Sequence, residues 1–292
     1  MSTIVSDDLI KETIKNVFVK AICEVPPDVI EAIEGALEKE SNPRARNILE
    51  ILLQNASAAK EKKNVICQDT GVPVFFIKTP LGFPFNGDFK SISKEAVREV
   101  TMNFPLRPMM VHPLNRSEFR DNTGPNMPIL HYDIDQDASY IEITAVPKGA
   151  GSGFWGTVKF IPPPEGVPAV KKFIIDSVIR AGSNPCPPII VGVGIGGNLE
   201  EVTRLATVAS FRPLNIRHPE QEIATIEEDL LEAINASKIG PMGLGGDHTA
   251  FAVNIEYTFT HKPWIPVAVN IQCWPGRQAS ARIYSDGKVE YI

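Results

Sequence analysis

Apolar positions in the first sixty residues recur every three or four places, the spacing of one face of an α-helix. Ile14, Val17, Phe18 and Ile22 form one such stripe, with Cys23 in its rhythm. Val29, Ile33, Ala36 and Leu37 form a second over 28–40, where Asp28 is the expected N-cap. A third follows Pro43 and carries Ile48, Ile51, Leu52 and Asn55. The period then changes. Residues 72–78 are β-branched and aromatic, and over 139–146 Tyr140, Glu142 and Thr144 alternate with Ile141, Ile143 and Ala145. That alternation predicts a strand with one face buried and one in polar surroundings. Helical spacing returns over 165–181, 198–209 and 219–236, the last strongly acidic and so solvent-facing on one side. A short apolar run at 188–193 leads into a glycine-rich stretch, and 249–259 and 265–273 read as strands. The pattern predicts an α+β fold: a helical N-terminal segment, then mixed sheets with packed helices, as one unit over 1–292 with room for two lobes.

Composition narrows the class. The 292 residues hold 29 Lys and Arg against 35 Asp and Glu, a net charge of −6. With no basic run, a nucleic-acid partner is not expected, because phosphate binding needs clustered cations. No stretch approaches the roughly 20 apolar residues of a membrane span. The opening MSTIVSDDLIKETI is acidic where a secretory signal would be basic and then apolar. A cytoplasmic protein is expected. The 25 prolines gather at element ends, as in 162–164 and 185–188, and stiffen loops.

Four cysteines are too few for a disulfide scaffold in so long a chain. Cys23 reads as a small buried hydrophobe on a helix. Cys67, Cys186 and Cys273 differ, since each lies where a regular segment meets a turn: ICQDTG, SNPCPP and IQCWPG. Proline and glycine there fix the backbone, and peptide N–H groups can stabilise a thiolate. Gln68 and Asp69 directly follow Cys67, although Asp69-Thr70-Gly71 alone is an ordinary side-chain-capped turn. Zinc sites draw ligands in local pairs, which are lacking here. Three thiolates would leave one iron of a four-iron cluster without a protein ligand, the vacancy that Lewis-acid catalysis needs. In HPLNRSEFRDNTGPN, Arg116 is either a surface ion pair or a fork-shaped carboxylate clamp, and 121–124 is a turn.

Gly192-Val-Gly194-Ile-Gly196-Gly197 matches GxGxxG after an apolar strand and before a helix, the setting of a dinucleotide loop. It lies late in the chain, and no second strand ending in an acid follows, so tight helix–strand packing or donors for a substrate anion is the better expectation. The turns at 240–246 and 148–152 add further backbone donors, the first without a phosphate loop's Lys-Ser/Thr ending. Interleaved with the cysteines and Arg116, they favour a small anionic ligand.

The segments CQDTGVPVFF, HPLNR with DNTGPNMP, KGAGS, PPPEGVPAVKKF, NPCPPIIVGVGIGGNLEEVTRLA, GPMGLGGDHTA and HKPWIPVAVNIQCWPGRQA occur in one order. Together they resemble the alpha subunit, or N-terminal domain, of the iron–sulfur class I fumarate hydratases and L(+)-tartrate dehydratases, from about Ile14 to Arg282. The resemblance implies one alpha-type hydro-lyase domain over 1–292 and a [4Fe–4S] cluster held by Cys67, Cys186 and Cys273, with the fourth iron open to substrate. It places Gln68, Asp69, Arg116, His261 and the turn Lys148, Gly149, Ala150 and Gly151 against the substrate. Arg277, four residues after Cys273, also matches a basic position of the family, where a structural role is at least as good a reading.

Three departures bear on substrate. Ala150 replaces the middle glycine of a usual three, SGFWGT (with Gly153, Phe154 and Trp155) replaces more polar versions, and Asp247-His248 stands where Lys or a small hydroxyl residue is commoner. The implied reaction adds or removes water across the double bond of a small dicarboxylate, fumarate to (S)-malate first and L(+)-tartrate dehydration as the alternative. No proton-abstracting residue is identified here. The resemblance puts it on a beta subunit, giving an alpha–beta heteromer of α2β2 type. A nicotinamide-dependent oxidoreductase built on 192–197, or a non-catalytic iron–sulfur protein, are the rivals from other classes.

Overall fold

The computed structural model describes residues 5–292; residues 1–4 of the acidic opening segment lie outside them. The chain divides into two compact units, one of 1–25, 56–149 and 277–292, the other of 26–55 and 150–276. Both combine helices with mixed sheets, as the α+β pattern predicts.

The first unit is built on a five-stranded sheet. α1 (Asp7–Cys23) begins at Ser6, whose hydroxyl accepts the Leu9 N–H, with Asp7 and Asp8 in the first turn. β1 (Val74–Thr79), α4 (Phe89–Asn103), β2 (Ile129–Ile134), β3 (Tyr140–Ala145), β8 (Ala279–Tyr284) and β9 (Val289–Tyr291) complete the unit. The strand order is β2-β1-β3-β8-β9, with β1 and β2 parallel and the other pairs antiparallel. The predicted alternation of β3 holds, because Ile141, Ile143 and Ala145 are buried with Ile14, Phe18, Ile77 and Ile283 in one core. Its other face is polar: Thr144 meets Ser280 at 2.7 Å, and Arg282 donates to Glu142 at 2.8 Å while lying over Tyr140.

The second unit carries α2 (Pro27–Lys39), β4 (Thr157–Ile161), α6 (Gly166–Ala181), β5 (Ile189–Gly197), α7 (Leu199–Ala209), α8 (Gln221–Asn235), β6 (Ala250–Thr260) and β7 (Ile265–Gln272). Its four-stranded sheet runs β4-β7-β5-β6, with β5 and β6 parallel. Val191, Val193, Ile255, Val267 and Val269 pack with α6 and α8 on one face, while α7 lies on the other. α3 (Pro43–Glu61) leads from this unit back into the first, and α5 (Ala150–Gly153) is a single turn.

Two local expectations change. Asp28 does not cap α2: the N-cap is Pro26, and the Asp28 carboxylate inside the first turn accepts the Leu214 N–H at 2.9 Å. The glycine-rich stretch is not a loop but the end of β5. A β-carbon on Gly192 would strike the Ala206 carbonyl and Ser210 of α7's end, and one on Gly194 would strike the Val202 carbonyl. These glycines let helix and strand backbones touch, as the packing reading expected. α7 also starts on its own cap, the Asn198 side chain accepting the Glu201 N–H at 2.9 Å, with Glu200 and Glu201 in the first turn. Two carboxylates there repel a phosphate from the helix's positive end.

Candidate functional site

Cys23 and the other cysteines separate sharply. Cys23 is the buried last residue of α1, and burial, with Glu24 beside it, pushes its thiol up to about 11. A group so reluctant to ionise is a poor nucleophile and a poor ligand. Cys67 and Cys186 are exposed and Cys273 is half-buried.

In the first unit, Cys67 sits between α3 and β1, with the Asp69 N–H pointing at its sulfur at 3.4 Å. The predicted side-chain cap is present, since Asp69 Oδ1 accepts the Gly71 N–H at 3.0 Å. Thr70 is buried; its hydroxyl donates to the Arg107 carbonyl at 2.9 Å and accepts the Arg107 N–H at 3.1 Å. Val72 and Lys148 exchange backbone hydrogen bonds, which brings Gly149 over the Asp69 side chain. A β-carbon on Gly149 would lie 2.8 Å from Asp69 Oδ2 and 2.9 Å from Arg277 Nη2. A larger residue here would push those two side-chain ends aside. Arg277 itself is buried, and its Nη1 donates to the Asp69 carbonyl at 2.8 Å.

Arg116 and Gln68 are exposed in the same unit. The arm around Arg116 is stiffened locally: His112 Nδ1 accepts the Leu114 and Asn115 N–H groups, and the Asn115 side chain accepts from Ser117. Asp121 ties the arm to α4 through Arg98 at 2.9 Å and closes the predicted turn on Thr123. Arg116 has φ 61° and makes no ion pair with a described residue, so it is not the surface salt bridge that is its commoner fate.

In the second unit, Cys186 holds φ 55° in the turn between α6 and β5, a left-handed conformation rare outside glycine and asparagine. The turn is braced from three places. The Cys186 N–H donates to the Ser183 carbonyl at 3.1 Å, the Trp274 N–H to the Cys186 carbonyl at 3.2 Å, and the Met242 N–H to the Pro187 carbonyl at 2.8 Å. The Trp274 bond brings the segment of Cys273, at the end of β7, against that of Cys186. Gly151 of the KGAGS turn lies beside Asn184 and Pro185, and Ala150, its departure from three glycines, is exposed at the start of α5. His261 is exposed in the loop joining β6 to β7, and Phe154 of SGFWGT is 78% exposed.

The Asp247-His248 departure is structural. The Asp247 N–H and His248 Nδ1 both meet the buried Glu40 carboxylate, at 2.8 and 2.9 Å. The Lys238 ammonium, followed by the Ser41 hydroxyl and N–H, holds the Asp247 carboxyl far below the usual carboxylate range. These bonds pin the 240–246 turn that braces Cys186. Sequence reading did not find this network, because its partners lie some 200 positions apart.

No group of three or more His, Cys, Asp or Glu among the described residues is arranged to hold one metal ion. Exposure, a rigid turn at Cys186 and an N–H directed at the Cys67 sulfur fit anionic sulfur ligands.

The profile of the fumarate hydratase (Fumerase) family matches residues 11–282. A protein of Methanocaldococcus jannaschii, provisionally named L(+)-tartrate dehydratase subunit alpha, is 41% identical over 283 residues, 96% of this chain and 99% of its own. The L(+)-tartrate dehydratase alpha subunit of Escherichia coli strain K12 is 33% identical over 275 residues, 94% of this chain and 91% of its own. With a family match from α1 to β8 and relatives aligned over nearly their whole length, this chain belongs to the fumarate hydratase family and is a hydro-lyase.

Proposed function

We propose that this chain is the alpha subunit of an iron–sulfur hydro-lyase that adds or removes water across a carbon–carbon double bond of a small dicarboxylate. The contrast among the cysteines carries the cofactor reading: one thiol is buried and held protonated, and three are presented from turns. Cys67, Cys186 and Cys273 would hold a [4Fe–4S] cluster, which supplies a Lewis-acidic iron for the substrate hydroxyl when bound.

The chain's own residues have the remaining work. Arg116, an unpaired guanidinium on a stiffened arm, is suited to fork onto one substrate carboxylate. Gln68, His261 and the backbone of Lys148, Gly149, Ala150 and Gly151 would hold the other and stabilise negative charge as the proton beside it leaves. Asp69, fixed by its cap and by Arg277, presents a carboxylate next to Gly149 and would orient the departing or entering hydroxyl. The base that takes the carbon-bound proton is assigned to a beta subunit, because the relatives are named as alpha subunits and no residue here is placed in that role. The whole of 1–292 then acts as one alpha-type domain inside an alpha–beta heteromer, α2β2 in its simplest closed form.

Fumarate hydration to (S)-malate is the first reading, supported by the family's name. L(+)-tartrate dehydration is the second reading, favoured by the names of relatives that align over 91–99% of their length. The test is anaerobic cluster reconstitution with the beta partner, followed by an ultraviolet assay on fumarate, (S)-malate and the tartrate stereoisomers. The expected outcome is turnover of one diacid pair at least tenfold above the others. Cys186→Ser is expected to lose both bound iron and turnover while Cys23→Ser keeps both. Equal tolerance at the two positions would falsify the ligand assignment.

A further inference from the structure

Arg277 is an unusual residue to find buried. It is 2% exposed, and its Nε–H meets no acceptor among the described residues. A buried guanidinium with an unmatched donor lowers stability, and such groups point to a role other than stability. The rest of the fork is well used. Nη1 donates to the Asp69 carbonyl at 2.8 Å and reaches the Thr70 carbonyl at 3.5 Å. Nη2 and Asp69 Oδ2 both lie within 3 Å of where a β-carbon on Gly149 would stand, at 2.9 and 2.8 Å, so the two side-chain ends close over that glycine. One cation thus touches both main-chain carbonyls after Gln68 and borders the backbone of the KGAGS turn. Neither carbonyl belongs to a helix or strand; besides Arg277, the stretch is held by the Thr70–Arg107 pair and the Asp69 cap on Gly71.

We infer that Arg277 is a positioning residue for the reaction: its buried guanidinium sets the backbone of 68–70 against Gly149 and thereby aims the Gln68 and Asp69 side chains. The inference rests on the reading of those two residues as substrate-binding. Lysine replaces only part of the fork, because an ammonium can donate to the carbonyls that Nη1 reaches but has no second planar nitrogen to set beside Gly149 as Nη2 is.

The experiment compares wild type, Arg277→Lys and Arg277→Gln in two arms. Hydrogen exchange on the alpha chain alone, without cluster, reads the loop. The glutamine variant is expected to exchange the 67–71 amides at least tenfold faster while amides in β3 and β5 keep wild-type protection. Steady-state kinetics on the reconstituted complex, at equal iron content, read the consequence: kcat/KM falls at least tenfold in the glutamine variant, carried mainly by kcat, and the lysine variant recovers only part. A loosened loop with wild-type kcat/KM makes Arg277 merely structural and overturns the inference. So does lost activity with unchanged 67–71 exchange. Should the glutamine variant not fold, the lysine variant decides by the same two measurements. A wild-type complex inactive on every diacid would sink the proposed function. The exchange arm would still show whether Arg277 holds the loop.

Discussion

At the residue scale, the four cysteines give the sharpest contrast in the molecule. With its thiol raised to about 11 by burial, Cys23 is less than about one part in a hundred thiolate at pH 8. Alkylation of the folded, cluster-free chain with iodoacetamide at pH 8 should therefore label Cys67, Cys186 and Cys273 within minutes. Cys23 should follow only on unfolding, and peptide mass spectrometry reads the order. Rapid labelling of Cys23 in the native chain would contradict the burial described here. The separation was legible in sequence, because Cys23 sits in a helical stripe and the others beside Pro or Gly. What sequence could not supply is the set of long-range bonds that hold the turns: Trp274 to Cys186, Met242 to Pro187, Glu40 to Asp247 and His248, Arg277 to Asp69. Spacing carries no information about those pairings. Arg277 in particular read equally well as catalytic or structural until its guanidinium was seen on two carbonyls.

Most elements with a strong period were readable, although the alternating β8 and the amphipathic α4 were passed over. α1, α2, α3, α6, α7, α8, β3, β6 and β7 all fall where apolar spacing puts them. β4 was missed because it is an edge strand with Val158, Lys159 and Phe160 all exposed, so no alternation marks it. β2, another edge, is exposed at five of six positions. α4 carries its own helical stripe, Ile92, Ala96, Val97 and Val100, that the reading of the sequence passed over. The contact of β5 with α7 yields a direct test. Gly194→Ala places a methyl group against the Val202 carbonyl, backbone that cannot rotate away, so a loss of about 1–3 kcal/mol is expected in urea unfolding. A neutral result would mean that α7 does not lie so close. The link from α4 to the Arg116 arm depends on pH. Burial raises the Asp121 pKa, but the Thr123 hydroxyl, Arg98 and the Thr123 N–H together outweigh it and hold the carboxyl below its ordinary value. A depressed folded-state pKa adds stability that is complete above the unfolded value near 4 and is lost as pH falls below it. Asp121→Asn should thus cost about 1 kcal/mol at pH 7, after allowance for the exposed Arg98, and close to nothing near pH 2. Acid titrations of thermal stability for the two proteins would show the gap closing on the acid side only.

For the whole molecule, the central expectation is dependence on a partner. Its relatives are named as alpha subunits, and no group on this chain is assigned to remove the carbon-bound proton. The purified, reconstituted alpha chain is expected to show under 1% of the turnover of the alpha–beta complex, measured at matched iron content. Full turnover from the alpha chain alone would overturn the split of chemistry between subunits. No described helix is long and apolar enough to cross a membrane.

The five-stranded sheet draws its strands from distant stretches of chain, with β8 and β9 supplied by residues 277–292. During synthesis β3 therefore waits with an open hydrogen-bonding edge, and Ile141 and Ile143 lack the cover of Ala281 and Ile283, until residues 279–291 leave the ribosome. A nascent chain stalled before them displays a sticky half-sheet, the form most prone to pair with its neighbours. Trimming β8, or tethering a bulky fusion too close behind it, should convert a well-behaved product into inclusion bodies, although every candidate ligand and substrate contact lies upstream.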